Sequence, residues 1–472
     1  MNHDTTLQYI SEAGKFSSDR SLGRIRELSR RLGDPWRGLK IFHIAGTNGK
    51  GSISSYLTHI LSTAGYNVGW YTSPYLERFN ERIRVIQGPE VLEQYDRDNA
   101  AGEIDNESID RIMTRVSRAA DSMREDGIMD LPSEFDLITM MALIYFKEKN
   151  CDYVVLECGL GGRLDSTNVI ENPLASIIAA PGYDHMDRLG NSMRNIMYEK
   201  AGIIKPGTPV FAYNPSDSMI SEEDAASARK TLEERCLELD VPLHWIGRDQ
   251  YEMLSYGRQG QSFRNLETEE VYTTKLLGVY QPVNALLAVA ALANYVSAED
   301  IRQGIAATVW PARLEILSHS PFVLLDGAHN IQGCRALVES LTRLNENAPM
   351  VFLCAIMQDK NYREMINIVL NSKQYETAAI VFTAAPDERT ASAEQMLATA
   401  KEVLDPEVES KLLMSSVSDY NAALDEALAL AEAKGAVLCV FGSLYLAGAI
   451  RKRMRDLQKN QTYSTGYNTP GA

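Results

Sequence analysis

Apolar positions along this chain follow two kinds of spacing. Short apolar runs rich in β-branched and aromatic residues occupy 39–45, 66–72, 82–86, 151–156, 174–179 and 208–213, and each predicts a strand. Between them apolar residues return every third or fourth position. Ile53, Tyr56, Leu57, Ile60, Leu61 and Ala64 share one helical face, which Gly65 ends. Pro132-Ser133 opens a second helix with Phe135, Ile138, Met141, Ala142 and Tyr145 on one side. A third helix is predicted over 192–204, and a polar helical stretch over roughly 90–125. Strand–helix alternation of this kind predicts a parallel sheet covered on both faces, with ligands beyond the carboxyl ends of its strands.

The pattern changes over 249–277, where short alternating segments with Gly257 and Gly260 at turns predict a β-meander. An apolar helix follows over 281–296, and Trp310-Pro311 interrupts the pattern. Alternation then resumes, with strands expected at 322–325, 350–356, 378–382 and 437–441 and a helix at 331–344. The expected fold class is α/β. An N-terminal domain over 1–307, resembling phosphate-loop ATPases, combines a mainly parallel sheet with a small meander. A Rossmann-like α/β domain covers 308–456, and the polar segment 457–472 is expected to be disordered. A chain of 472 residues exceeds what one core accommodates, in keeping with this division.

The segment between the first strand and the first helix carries the most specific chemistry. Gly46-Thr47-Asn48-Gly49-Lys50-Gly51-Ser52 is a glycine-rich turn opening a helix. Backbone N–H groups at such a turn surround an anion, Lys50 adds a point charge, and Ser52 offers a hydroxyl to a magnesium ion. A bland turn would need neither the lysine nor the hydroxyl. The spacing departs from the common GxxxxGK[ST] form. Ile44 stands where the first glycine would fall, and Gly51 separates the lysine from the hydroxyl residue.

Charge and composition narrow the field. The formal net charge of −16 argues against a general nucleic-acid surface but leaves room for a local anion site. No run approaches the ~20 apolar residues of a membrane span, and the polar N-terminus lacks a signal-peptide core. The six cysteines form no CxxC pair, which suits reduced side chains in a cytoplasmic protein. A monomer acting on small molecules is expected.

Further segments agree with the phosphate loop. They are Ser73-Pro74-Tyr75-Leu76 with Phe79-Asn80-Glu81-Arg82-Ile83, the run from Glu157-Cys158-Gly159 to Asp165-Ser166-Thr167-Asn168, and Asp184-His185 with Leu189-Gly190. Glu199-Lys200-Ala201-Gly202-Ile203, Trp310-Pro311-Ala312-Arg313-Leu314-Glu315 and Asp326-Gly327-Ala328-His329-Asn330 complete the series, with Gln281, Asn284 and Gly442-Ser443-Leu444-Tyr445-Leu446 beside them. In this order, over about residues 20–453, they resemble the bifunctional dihydrofolate synthase/folylpolyglutamate synthase family of Mur-like amide ligases.

The resemblance implies ATP-dependent joining of a dihydropteroate or folate carboxylate to L-glutamate through an acyl phosphate, with two magnesium ions. It implies nucleotide contacts from Gly46, Thr47, Asn48, Gly49, Lys50, Gly51, Ser52, Asn284, Arg313 and Asp326. It implies metal ligation by Ser52, Ser73, Glu157 and His185, and substrate contacts from Ser73, Arg82, Asp165, His329 and Ser443. Lys50, Lys200 and His329 take catalytic roles, and Lys200 resembles the lysine that the family carbamylates with CO2. Imidazole is an unusual magnesium ligand, so His185 stands out in that set.

The chain departs from the family pattern at Tyr75, where histidine is common, at Tyr280 and Met197, and at Ala312, where glycine is common. Residues 90–130 look long and acidic, and the resemblance gives them no function. Two alternatives compete. A cell-wall Mur ligase would carry a sugar-nucleotide domain before the phosphate loop, where only 45 residues stand. A degenerate regulatory nucleotide binder would be expected to lose a ligand or the lysine, and Ser52, Ser73, Glu157, His185 and Lys200 are all present.

Overall fold

A computed structural model describes residues 2–14, 21–128 and 130–465. The chain divides into two compact units between Val309 and Trp310, with 255–261 and 276–279 grouped with the second. Among the described residues no helix is long and apolar enough to cross a membrane.

The first unit is built on seven strands: β1 (Ile41–Ala45), β2 (Asn67–Tyr71), β3 (Ile83–Gln87), β4 (Tyr153–Glu157), β5 (Ala175–Ile178), β6 (Val210–Tyr213) and β7 (Leu243–Ile246). Their order is β3-β2-β4-β1-β5-β6-β7. All neighbours run parallel except β2 and β3, so β3 is an antiparallel edge strand. Every residue of β1 and β4 is buried, as expected of strands covered on both faces.

Helices Lys50–Thr63 and Glu134–Glu148 are buried along most of their length. Ser133 caps the second of these in a reciprocal box with Asp136. The polar stretch expected over 90–125 is two helices, Gly88–Arg97 and Asn106–Glu125. Helices His3–Glu12 and Gly23–Arg31 add to this unit, and both escape the hydrophobic pattern. Strands β8 (Tyr251–Gly257), β9 (Gly260–Asn265) and β10 (Val271–Thr274) form a three-stranded sheet in chain order, which is the expected meander.

The second unit contains β11 (Glu315–His319), β12 (Phe322–Leu325), β13 (Met350–Cys354), β14 (Thr377–Phe382), β15 (Leu413–Ser416) and β16 (Val437–Phe441), ordered β11-β12-β16-β13-β14-β15. All pairs are parallel except β11 with β12. The final helix, Leu444–Thr465, extends past residue 457, where its polar composition had suggested that order would end. Residues 466–472 of that expected tail lie outside the described residues.

Helix Ala298–Ala307 packs on the phosphate-loop helix through Gly304, where a Cβ would lie 2.4 Å from the Ile60 Cα and 2.8 Å from its nitrogen. Backbone cannot yield as a side chain can. Gly304→Ala is therefore expected to destabilise the first unit by about 1–3 kcal/mol. The urea midpoint followed by tryptophan fluorescence should fall; an unchanged midpoint would show that this helix contact is loose.

Candidate active site

Four adjacent parallel strands in the order β2-β4-β1-β5 carry the predicted residues at their carboxyl ends. Ser73 follows β2, Glu157 ends β4, the phosphate loop follows β1, and His185 lies beyond β5. The arrangement expected from sequence is thus present in the backbone, and parallel pairing brings these segments to one edge of the sheet.

The phosphate loop is anchored to the segment after β5. The Thr47 and Asn48 N–H groups both donate to the Ala180 carbonyl at 3.1 Å, and the Thr47 hydroxyl donates to Gly182 at 3.0 Å. Lys50 folds back over the turn, its Nζ donating to the carbonyls of Gly46 at 3.1 Å and Thr47 at 3.3 Å. Gly49 sits at the helix start with φ 92°. Ser52 is fully buried in the first helical turn and accepts from Gln281 Nε2 at 3.3 Å. Gln281 in turn accepts from Asn284 Nδ2 at 3.3 Å. Sequence reasoning quoted Gln281 but gave it no role; its side chain holds the loop's hydroxyl. Asn284 Oδ1 is buried without a hydrogen-bond partner, close to where a Cβ on Gly49 would lie.

Lys200 lies in helix Met193–Ala201 and is only 2% exposed. Burial, and after it the nearby Lys50 charge, lower its pKa to about 7, while Asp184, Cys158 and Glu199 oppose the shift. Lys200 therefore shares its electrostatic surroundings with the phosphate loop, with the residue after Glu157 and with the residue before His185. Glu157 is 4% exposed. His185 is half-exposed and adopts φ 50°, a left-handed conformation costly for a residue with a Cβ.

The loop after β2 is also ordered. Arg82 Nη1 donates to Ser73 Oγ at 3.0 Å, and the guanidinium lies 5.1 Å from the Tyr75 ring. Arg82 Nε is buried without a partner. Glu81 accepts from the backbone N–H groups of Leu76 at 2.8 Å, Glu77 at 3.2 Å and Arg78 at 3.1 Å, so it shapes the loop that presents Tyr75. Sequence reasoning passed over Glu81, although it stands inside a quoted motif.

Asp165 has a scaffolding role in the structure. Its carboxylate accepts from Leu160 N at 2.8 Å, Thr167 N at 3.0 Å and Thr167 Oγ1 at 2.5 Å. Burial raises its pKa, against those hydrogen bonds. Thr167 Oγ1 also lies 2.8 Å from His43 Nε2, and Cys158 Sγ lies 3.2 Å from the same nitrogen. Burial lowers the His43 pKa to about 3, so the imidazole is neutral.

In the second unit Asp326 opens the turn after β12. It accepts from Leu314 N at 2.9 Å and Ala328 N at 2.8 Å and thereby fixes the loop bearing Arg313. Burial raises the Asp326 pKa, and Arg313 opposes that shift. Ala312 and Leu314, which flank Arg313, have φ values of 56° and 47°. The left-handed backbone at Ala312 is the physical reason glycine suits that position. His329 Nδ1 is 2.7 Å from the Gly327 carbonyl oxygen, and Ser443 is 2% exposed with its Oγ accepting from Tyr445 N at 3.1 Å. Their segments leave β12 and β16, which are neighbours.

Parallel strands leading into a phosphate loop, a buried carboxylate and an imidazole-bearing segment, with a buried lysine on the helix that follows, define an ATP-dependent ligase of the Mur type. The description "Mur ligase middle domain" matches residues 44–292, and "Dihydrofolate synthetase, C-terminal domain" matches 314–454. A dihydrofolate synthase/folylpolyglutamate synthase of Bacillus subtilis is 32% identical over 93% of this chain and 96% of its own length. The structure of Escherichia coli FolC with DHPP and ADP aligns with a TM-score of 0.79 and 26% identity, covering 97% of this chain and 99% of that one. An FPGS–AMPPCP–folate complex aligns at 0.76 and 28%, covering 96% and 100%. This chain belongs to the dihydrofolate synthase/folylpolyglutamate synthase family.

Gly49 gives a direct test of the loop. A Cβ there would meet Asn284 Oδ1 at 2.8 Å on a left-handed backbone. A strain of ~1–2 kcal/mol corresponds to about a tenfold loss in nucleotide affinity. Calorimetric titration of Gly49→Ala with ADP should show that loss with the fold intact, and wild-type affinity would contradict the loop geometry.

Proposed function

We propose that this ligase attaches L-glutamate to dihydropteroate, to folates, or to both. A carboxylate oxygen of the acceptor attacks the γ-phosphorus of ATP, and ADP leaves. The glutamate amine then attacks the acyl carbon, phosphate departs, and the amine proton is lost. Positioning and charge neutralisation carry such a reaction.

The observation that carries this reading is that the phosphate-loop, Glu157 and His185 segments leave neighbouring strands at one sheet edge, with buried Lys200 near enough to Lys50, Cys158 and Asp184 to feel their charges. Lys50 and the loop N–H groups hold ATP phosphates. Arg82 and Ser73 face the acceptor, and Asp165 holds the neighbouring loop in shape. In the second unit Arg313, fixed by Asp326, serves the nucleotide, and His329 and Ser443 serve the incoming glutamate. Asn284 supports the nucleotide site through Gly49.

The donor set suits magnesium. Among the described residues no three His, Cys, Asp or Glu side chains cluster as a preassembled cage. Magnesium needs none, because it retains waters and phosphate oxygens and takes few protein ligands. Ser52 and Glu157 would hold one ion, and Ser73, Glu157 and His185 a second. When bound, they neutralise phosphate charge.

Lys200 completes the proposal. Its pKa near 7 leaves much of the amine neutral at physiological pH, and the neutral amine adds CO2 to give a carbamate and a proton. The sign is fixed: below pH 7 the ammonium dominates and cannot react, and above it the amine is available.

The test is product formation from ATP, glutamate and, separately, dihydropteroate or tetrahydrofolate. Product with at least one acceptor is expected, and none with either would overturn the proposal. Lys200→Ala should lower turnover by about a hundredfold or more. With 13C-bicarbonate, wild-type protein should show a carbamate resonance at pH 8 that fades toward pH 6 and is missing in Lys200→Ala. A resonance absent at both pH values would remove the carbamate from the account.

A further inference from the structure

Helix Asn106–Glu125 buries Ile109, Ile112, Met113, Val116 and Met123 on one face. Its other face is not the acidic surface its sequence suggested. Arg111, Arg115 and Arg118 stand there at helical spacing and are exposed. Opposite them, Arg30 and Arg31 close helix Gly23–Arg31. The five arginines line one open depression of about 590 Å³, all within the first unit.

Carboxylates answer only part of this charge. Arg30 and Arg31 share Glu27, Arg31 also pairs with Asp126, and Arg111 forms a two-bond pair with Glu148. Arg115 donates to the Leu32 carbonyl at 3.1 Å. Among the described residues neither Arg115 nor Arg118 has a carboxylate partner. Like charges this close on a helix repel one another. They do so in a protein of net charge −16, where scattered surface cations would have acids to meet.

We infer that this groove is a binding site, outside the reaction centre, for a small anion carrying several charges in a row. The span from Arg111 to Arg118 is about 10 Å along the helix, which one phosphate or carboxylate cannot cover. Every cation in the groove is arginine, and the guanidinium fork grips carboxylates and phosphates through paired hydrogen bonds. A short γ-linked glutamyl chain and a linear oligophosphate share this chemistry. The site does not depend on the ligase reading, because its test is binding.

Calorimetry on the full chain, with saturating ADP to fill the phosphate loop, tests it with two probes, tetra-γ-glutamate and linear tripolyphosphate. L-Glutamate serves as the single-anion control. At low salt one or both probes should bind, and Arg115→Ala/Arg118→Ala should weaken that binding about tenfold. Turnover should stay unchanged, and the melting temperature should fall no more than the loss of the Arg115–Leu32 hydrogen bond explains. Raising salt toward about 0.5 M should also weaken it, because exposed charges are screened. The double lysine variant, which keeps charge but loses the fork, should fall between, and Arg118→Gln alone gives a milder check on folding. Loss for one probe only identifies carboxylate or phosphate as the natural chemistry. No binding of either probe, or binding that the double substitution leaves unchanged, overturns the inference.

Discussion

Parallel pairing forces neighbouring strands to point their carboxyl ends in one direction. In the first unit this gathers what leaves β2, β4, β1 and β5 at one edge: Ser73, Glu157, the phosphate loop and the segment leading to His185. These residues are far apart in sequence and have no other reason to meet. Hydrogen bonds from Thr47 and Asn48 to Ala180, and from Thr47 to Gly182, then tie the phosphate loop to the strand that carries His185. The second unit repeats the device, with β12 and β16 presenting the Asp326–His329 turn and Ser443.

What the gathering creates is an electrostatic problem. Lys200 and Glu157 are buried, and burial penalises a charge unless something answers it. For Lys200 the answer includes a depressed pKa, set first by burial and then by Lys50. A group held near neutrality can take up CO2 and change sign. Some of the left-handed backbone also falls on site segments. His185 is left-handed beside the site, and Ala312 and Leu314 are left-handed on either side of Arg313. Such conformations persist where the surroundings fix them, as Asp326 fixes the Arg313 loop through Leu314.

Much of this was legible in the residue pattern. Doubly covered strands such as β1 and β4 announce themselves because they form nearly unbroken apolar runs. Strands β7, β11 and β15 did not, since they are half-exposed edge strands whose pattern resembles a loop. The phosphate loop could be found because its glycines and lysine are adjacent in sequence. Spent side chains could not. Nothing in the sequence says that Asp165 gives its carboxylate to Leu160 and Thr167, or that Glu81 gathers three backbone donors. The arginine groove was hidden for a related reason, because its two rims are separated by some eighty residues of chain and only the packed helices unite them.

The central claim is that the acceptor's carboxylate is activated by phosphoryl transfer before glutamate arrives. It is tested most directly with an acceptor whose carboxylate carries 18O at both oxygens. Attack of that oxygen on the γ-phosphorus leaves it in the phosphate released when the amide forms. The account predicts one 18O atom in each phosphate produced, read by mass spectrometry or 31P NMR. Phosphate free of label, with amide still formed, would contradict it.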